Sequence, residues 1–206
     1  MVPVVRKDVV LVTGFGPFGT HKINASWESV KLLVDTGIEE DLGIKLITKE
    51  IPVDYDFVKK NVPEMWEMYK PKLVIHVGVS GVANEVNLEQ MAFNGGYNSP
   101  DVQLCLPQGN CCIPGAQDCI ISGINMRKIC EDINHSTCGV FSCVSSDPGR
   151  YLCDFIYYTS LSIDRNRTAF IHVPVLNKPY NSKQLAEALS LAIKSMYKEV
   201  HGDHVL

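Results

Sequence analysis

The sequence predicts a three-layer α/β/α fold, with helices on both faces of a mostly parallel, twisted central sheet. First, short and nearly continuous apolar runs alternate with amphipathic stretches along the chain. Strands buried on both faces have such runs, and parallel strands need helical connections. Second, 206 residues of which 46% are hydrophobic suffice for one sizeable core. Because no repeat or shift in composition divides the chain, we expect residues 1–206 to form a single domain.

The apolar runs are typical of strands, and the longer stretches between them have apolar residues at helical spacing. The predicted strands are residues 9–13, 44–53, 73–79, 139–144 and 169–173. The predicted helices are residues 26–34, 57–69, 124–133, 150–161 and 183–200. The middle of the chain is predicted to be irregular and the tail 201–206 to be loose. In such folds, ligands bind at the carboxyl ends of the strands.

The charge balance and the N-terminus argue against several classes of protein. A net charge of −4, without a Lys/Arg cluster longer than a pair, argues against nucleic-acid binding and favours a small or weakly charged substrate. The apolar run 9–13 is too short to span a membrane, and the N-terminus lacks the apolar length and cleavage site of a signal peptide. We therefore expect a cytoplasmic protein that does not bind membranes.

The chain has eight cysteines, which is many for a cytoplasmic protein, where a disulfide scaffold is not expected. Four of them, Cys105, Cys111, Cys112 and Cys119, lie in a Gly- and Pro-rich segment typical of a loop. The alternative is a zinc site. However, this segment contains no C-x-x-C pair, and two adjacent cysteines do not easily turn toward one tetrahedral ion. The favoured interpretation is ordinary surface or half-buried thiols.

The segment 14–19, GFGPFG, matches the G-x-G-x-x-G fingerprint of dinucleotide binding after a strand. Asp35 follows at about the spacing of the acid in that fingerprint. However, Asp35 ends a segment predicted to be helical, and this helix begins too late for its N-terminus to hold a pyrophosphate against the glycines. We expect instead that the glycines let a ligand approach and that Phe15 and Phe18 form apolar walls. The alternative is that these rings pack beneath the loop.

Cys153 is the candidate nucleophile. It follows strand 139–144 and a predicted helix start, where Asp147 is a good N-cap and Pro148 suits the first helical position. The positive end of the helix favours a thiolate, and backbone N–H groups there can stabilise an oxyanion. The alternative is a buried core cysteine, the commonest fate of a free thiol, and position alone does not separate the two.

His172 is the candidate base. It lies near the carboxyl end of the otherwise apolar strand 169–173, where a lone histidine is more often a satisfied core residue. Because this strand directly follows the Cys153 helix, we expect it to lie beside strand 139–144 and to bring the imidazole to the thiol. A third group should orient the imidazole. Glu89 is the best-placed carboxylate, and Glu85 remains an alternative.

Four motifs together resemble the type I pyroglutamyl peptidases. They are GFGPFG, IHVGVSG leading to Glu89, GRYLCDF around Cys153 and FIHVP around His172, in the same order along nearly the whole chain. The HVGVSG motif and the cysteine-rich middle are most similar to the animal members. The resemblance implies an α/β cysteine omega-peptidase that removes an N-terminal pyroglutamyl residue from peptides. It also implies a Glu89–Cys153–His172 triad without a metal or another cofactor, and so favours Glu89 over Glu85.

The resemblance also implies a substrate pocket, formed here by Phe15 and Phe18 with Tyr151 and Leu152. The sequence departs from the family pattern in two places. Bacterial members carry an Arg downstream of the catalytic Glu, whereas residues 94–101, NGGYNSPD, contain none. Pro148 stands where Ala is common. The alternative interpretation of the whole chain is a non-catalytic α/β domain that binds a nucleotide or another small molecule.

Overall fold

A six-stranded sheet runs through the centre of the molecule, and its strand order is β2-β1-β3-β8-β4-β7. The computed structural model describes residues 7–19 and 22–202. The strands of this sheet are β1 Val9–Phe15, β2 Lys45–Ile51, β3 Leu73–Ser80, β4 Val86–Glu89, β7 Ser142–Ser145 and β8 Thr168–Pro174. Neighbouring strands are parallel except β4 and β8, which are antiparallel. Two further strands, β5 Met91–Phe93 and β6 Cys119–Ile121, form a separate antiparallel pair.

Helices cover both faces of the sheet, so the predicted three-layer fold is confirmed. They are α1 Ala25–Val30, α2 Ile38–Leu42, α3 Tyr55–Tyr69, α4 Met126–Asn134, α5 Leu152–Asp164 and α6 Ser182–Gly202. One apolar cluster joins α1, α4 and α6 to one face of the sheet. A second cluster joins α3 and α5 to the other face. None of the helices that the structure describes is long and apolar enough to cross a membrane.

The sequence patterns explain why these elements form. Every residue of β8 is buried, as expected for a strand covered by helices on both faces. The apolar stripe of α6 faces the core, and its members are Leu185, Leu189, Ile193 and Met196. Helix α3 begins where the Asp54 side chain accepts the backbone N–H of Phe57, and it ends at Lys70 in a left-handed conformation.

Several boundaries differ from the prediction. The predicted helix 26–34 is split into α1 and a 3₁₀ helix, Lys31–Thr36, and left-handed Gly37 separates this 3₁₀ helix from α2. Strand β1 extends to Phe15, so the first two residues of the glycine-rich segment belong to the sheet. The tail prediction is wrong for residues 201–202, which belong to α6, and residues 203–206 lie outside the described residues.

The order of the strands also corrects the prediction. Strand β8 was expected beside β7, but it lies between β3 and β4, and β4 separates it from β7. No strand was predicted at Val86–Glu89, because the alternation of apolar and polar residues there covers only four residues between irregular segments. Inserting an antiparallel strand at this point brings the end of β4 to the strand that carries His172.

Candidate active site

His172 lies in the interior of the sheet, six per cent exposed, on the face that α5 covers. In the strand register it is opposite Gly78 of β3 and Asn87 of β4. The ring of Phe170, two residues earlier on the same strand, packs edge-on against the imidazole at 4.8 Å between centroids. The imidazole is therefore held by neighbours on both sides and along its own strand.

Glu89 ends β4 and is one per cent exposed. Its Oε1 is 2.8 Å from Nδ1 of His172. The strand register accounts for this contact. Because Asn87 is opposite His172 and side chains alternate along a strand, Glu89 is the diagonal neighbour of the imidazole. Glu85, the alternative acid, contacts Cys143 instead.

Cys153 is the second residue of α5. A Cβ atom built on Gly78 would lie 2.7 Å from the Sγ of Cys153 and 3.3 Å from the Cδ2 of His172. The sulfur and the imidazole therefore meet on the same side of the sheet, next to a strand residue that has no side chain. The structure thus brings together the three residues that the sequence analysis selected.

The helix that carries Cys153 begins later than predicted, so the assignment of Asp147 as N-cap and Pro148 as first helical residue is wrong. The N-cap is Tyr151, and its side chain makes no capping hydrogen bond. The chain turns before the helix at Gly149, with φ of 80°. Asp147 instead accepts the N–H of Gly149 and pairs with Arg150 at 2.6 Å. Since the helix starts at Leu152, Cys153 lies even closer to its positive end than expected.

The electrostatics of the cluster favour a protonated imidazole. Burial alone lowers the pKa of His172, but its charge interaction and hydrogen bond with Cys153, together with Glu89, raise that pKa to about 10. A histidine with this pKa carries a proton at neutral pH. An imidazolium next to the sulfur is the form that can give a proton to a leaving group.

The four predicted pocket residues lie in the same apolar cluster as Cys153. Phe15 and Leu152 are buried, whereas Phe18 and Tyr151 are half-buried. The hydroxyl group of Tyr151 donates to the carbonyl oxygen of Pro100 at 3.1 Å. The structure therefore places apolar side chains on the same side of the sheet as the sulfur.

The glycine-rich segment 14–19 has a packing role at its first position. A Cβ on Gly14 would lie 2.8 Å from the backbone of Trp27, so this glycine allows β1 and α1 to approach closely. The side chain of Asn24 caps α1 and donates to the carbonyl oxygen of Gly16. Asp35 lies in the 3₁₀ helix rather than at the end of a strand. The context of a dinucleotide site is therefore lacking at these positions.

The cysteine-rich segment 105–119 contains exposed Cys105, half-buried Cys111 and Cys119, and buried Cys112. All eight thiols of the chain are free of disulfides. Within residues 7–19 and 22–202, no group of three or more His, Cys, Asp or Glu side chains is arranged to hold a metal ion.

A groove of about 660 Å³ lies between the 3₁₀ helix Lys31–Thr36 and α6, and none of the predicted site residues lines it.

Three residues close to the site were missed from the sequence. Gly78 could have been selected from the sequence, since an isolated glycine inside an apolar strand indicates close approach of another group. Arg150 precedes α5 and Asp154 lies in its first turn, and the partner they share, Phe93, is far away in sequence. The guanidinium of Arg150 is 3.7 Å from the ring centroid of Phe93. An arginine is thus present beside the segment 94–101, although that segment contains none.

Comparison with known proteins gives the family. A family model described as pyroglutamyl peptidase matches residues 8–202. Pyroglutamyl-peptidase 1 of Rattus norvegicus is 44% identical over 200 residues, which cover 96% of this chain and 95% of that protein. The Homo sapiens protein of the same name is 44% identical over 190 residues, with 92% and 90% covered. The crystal structure of pyroglutamyl peptidase I from Bacillus amyloliquefaciens matches with a TM-score of 0.83 at 24% identity, covering 94% of this chain and 98% of that one. The chain therefore belongs to the pyroglutamyl peptidase family.

Proposed function

We propose that this protein is a cysteine peptidase that hydrolyses the bond following an N-terminal pyroglutamyl residue of a peptide. Membership of the pyroglutamyl peptidase family supports the substrate class. The observation that carries the mechanism is the buried Glu89–His172 pair, with Oε1 and Nδ1 2.8 Å apart, beside the sulfur of Cys153. A nucleophile, a base and a group that orients the base form the arrangement that covalent hydrolysis of an amide requires.

In the proposed mechanism, the thiolate of Cys153 attacks the carbonyl carbon of the pyroglutamyl residue, and the carbonyl oxygen becomes an oxyanion. His172, protonated at neutral pH, gives its proton to the departing amine as the C–N bond breaks. A thioester remains on the sulfur. His172 then takes a proton from a water molecule, which attacks the thioester and releases pyroglutamate and the thiolate.

The start of α5 is the proposed site for the oxyanion. The first N–H groups of an α-helix have no acceptor within the helix, and Cys153 is the second residue of α5. These groups and the positive end of the helix dipole face the charge that develops during attack. Each well-placed donor of this kind contributes about 3 kcal/mol to the stabilisation of the transition state.

Glu89 is proposed to hold the imidazole in its working orientation. One carboxylate oxygen contacts Nδ1 of His172, which leaves Nε2 for the sulfur and the leaving group. The other oxygen is buried and has no hydrogen-bond partner among the described residues. Without the contact to His172, both oxygens of the carboxyl group would therefore be buried without a hydrogen-bond partner among the described residues. The pair should therefore act as a unit.

Pyroglutamate suits an apolar pocket because its lactam ring has two apolar faces and no ammonium group. We propose that Phe15, Phe18, Tyr151 and Leu152 contact these faces, supported by their common cluster with Cys153. The N–H and C=O groups of the lactam need polar partners. If these partners are buried, a prolyl substrate leaves them unpaired and is rejected by about 10⁴-fold.

The test uses a fluorogenic pyroglutamyl-aminocoumarin substrate and the variants Cys153→Ala and His172→Ala. Each substitution should abolish measurable turnover, because neither the nucleophile nor the proton donor can be replaced by water. Cys105→Ser, which removes an exposed thiol, is the matched control and should retain wild-type activity. Appreciable turnover by either alanine variant removes that residue from the mechanism.

We further propose that the protein acts in the cytoplasm as one catalytic domain. All eight thiols are free, which suits a reducing compartment. Both apolar clusters pack on the same central sheet, which supports one cooperative unit. Fractionation of cells that express the tagged protein tests the location, and recovery in a secretory fraction would contradict it. Two separate transitions in thermal unfolding would contradict the single domain.

A further inference from the structure

We propose that Arg150 and Asp154 form a positioning pair for Cys153, by tying the first turn of α5 to the chain segment 93–97. The inference rests on the proposed function only in naming Cys153 as the nucleophile. Neither residue contacts the Glu89–His172 pair in the described structure, so the pair acts through the position of the helix start.

Asp154 directly follows Cys153 in the first turn of α5, and its side chain is fully buried. Its Oδ1 accepts the backbone N–H of Phe93 at 2.9 Å. Its Oδ2 lies 3.3 Å from the hydroxyl group of Tyr97, which also donates to the carbonyl oxygen of Phe93. A carboxylate at this point thus joins the helix that carries the sulfur to a segment 61 residues away in sequence.

Arg150 holds the same segment from the other side. Its guanidinium lies over the ring of Phe93, 3.7 Å from the centroid, and Nη1 is 3.8 Å from Oδ2 of Asp154. Nη1 also contacts Asp147 at 2.6 Å, so the guanidinium bridges a partly solvated and a buried carboxylate. A planar cation that stacks and pairs at once is geometrically specific, and lysine does not reproduce it.

The charge on Asp154 depends on this arrangement. Burial raises the pKa of Asp154 to about 7, while the Phe93 N–H, Arg150 and the Tyr97 hydroxyl oppose the rise. The other titratable groups that face Asp154 are Asp147 before the helix, Cys112 from the cysteine-rich segment and Tyr157 further along α5. Arg150 is the cation among these groups. Protonation of Asp154 removes its attraction for the guanidinium, so the tie should weaken as the pH falls below neutrality.

Three variants separate the charge from the packing. Arg150→Met keeps an apolar stem over Phe93 but leaves the buried carboxylate without its cation. Asp154→Asn keeps an oxygen for the Phe93 N–H but removes the charge. The double variant removes both charges, so no buried charge is left unpaired. Lys31→Met is the matched control, because it removes a cation from the exposed pair with Glu28.

We expect Arg150→Met to lower kcat/KM by about tenfold or more, mainly through kcat, because displacing a reacting group by about 1 Å costs about 10²-fold. The acid limb of its pH profile, where activity falls with falling pH, should move to higher pH. The carboxyl group of Asp154 binds a proton more easily when Arg150 is absent. Asp154→Asn, which resembles the protonated carboxyl group at every pH, should be slow and lack that limb, and the double variant should be no slower than Arg150→Met because the two side chains act as one pair. A role limited to packing would leave the pH profile unchanged, and the losses of the two single variants would add in the double variant.

The proposal is overturned if Arg150→Met has the activity and pH profile of the wild type, or if the losses of the two single variants add in the double variant. Thermal unfolding is measured for each variant, and Arg150→Gln, which also removes the cation, replaces Arg150→Met if the latter does not fold. The rate of alkylation of Cys153 by iodoacetamide, relative to Cys105, provides a readout that needs no substrate. If the wild type does not cleave the pyroglutamyl substrate, the proposed function fails, whereas an unchanged alkylation rate in Arg150→Met overturns the positioning pair.

Discussion

Substitution of Gly78 is the most direct perturbation of the site, because the sulfur and the imidazole meet in the space that a side chain at this position would occupy. Alanine at this position would place a methyl carbon 2.7 Å from Sγ of Cys153, 2.8 Å from the ring of Phe170 and 3.3 Å from His172. The backbone of Gly78 lies in the centre of the sheet, paired with His172. It therefore cannot retreat without breaking strand pairing.

The magnitude follows from these contacts. An ordinary van der Waals contact is about 3.5–4.0 Å, so the methyl carbon and the sulfur are roughly 1 Å too close. If the sulfur yields, a displacement of about 1 Å lowers kcat/KM by about 10²-fold. If the surroundings yield as well, overpacking costs about 1–3 kcal/mol of unfolding free energy. We therefore expect a large loss of activity with a moderate loss of stability.

Gly78→Ala is assayed with the pyroglutamyl-aminocoumarin substrate, and its unfolding free energy is measured with urea. Gly81→Ala is the matched control, since a Cβ at Gly81 meets nothing within 4 Å. It should have wild-type activity. If Gly78→Ala retains kcat/KM within about threefold of wild type, the methyl group is accommodated, and the close meeting of sulfur and imidazole is refuted.

Three further predictions concern the buried polar groups. Glu89→Gln should lower kcat by at least about 10²-fold while leaving KM nearly unchanged, because a neutral amide does not stabilise the imidazolium of His172; steady-state kinetics that show kcat within tenfold would contradict this. Ser160→Ala removes the hydroxyl group 2.7 Å from Nε2 of buried His76 and should cost about 1–3 kcal/mol in urea unfolding at unchanged kcat. A stability equal to wild type would show that this hydroxyl contributes nothing. Asp154→Asn should change how stability depends on pH. Because the pKa of Asp154 is about 7 in the fold and 3.8 ordinarily, the wild type loses stability from this group as the pH rises from about 4 to 7, by on the order of 4 kcal/mol. The advantage of the variant should grow over that range in thermal unfolding, and an advantage independent of pH would contradict the assignment.

The sequence predicted the layers well because long elements have clear periodicity. Most strands and helices lie where they were predicted, although strand 139–144 begins only at Ser142 and helix 26–34 is split. The resemblance to pyroglutamyl peptidases is confirmed by the family model and by animal relatives. The sequence did not predict β4, because the alternation of Val, Asn, Leu and Glu covers only four residues, too short a run to stand out from a loop. Without β4, the neighbours of β8 could not be inferred. The roles of Glu89, Cys153 and His172 stay predictions, although the three side chains meet.

Two histidines illustrate the limit of local patterns. His76 and His172 both lie in apolar strands, and neither is distinguished by its immediate neighbours. In the structure, His76 contacts the hydroxyl groups of Thr13 and Ser160, and burial lowers its pKa to about 3. His172 instead meets a carboxylate and a thiol. Partners that are distant in sequence decide which histidine can carry a proton at neutral pH.

The unequal anchoring of the three side chains affects how the protein loses activity. Glu89 and His172 belong to strands in the middle of the sheet, the part of a protein that opens last. Cys153 is in the first turn of a helix, whose position depends on the side-chain tie of Arg150 and Asp154 to segment 93–97 rather than on strand pairing. Mild denaturant should thus detach the sulfur while the sheet remains folded, so inactivation should precede the global transition and reverse rapidly on dilution.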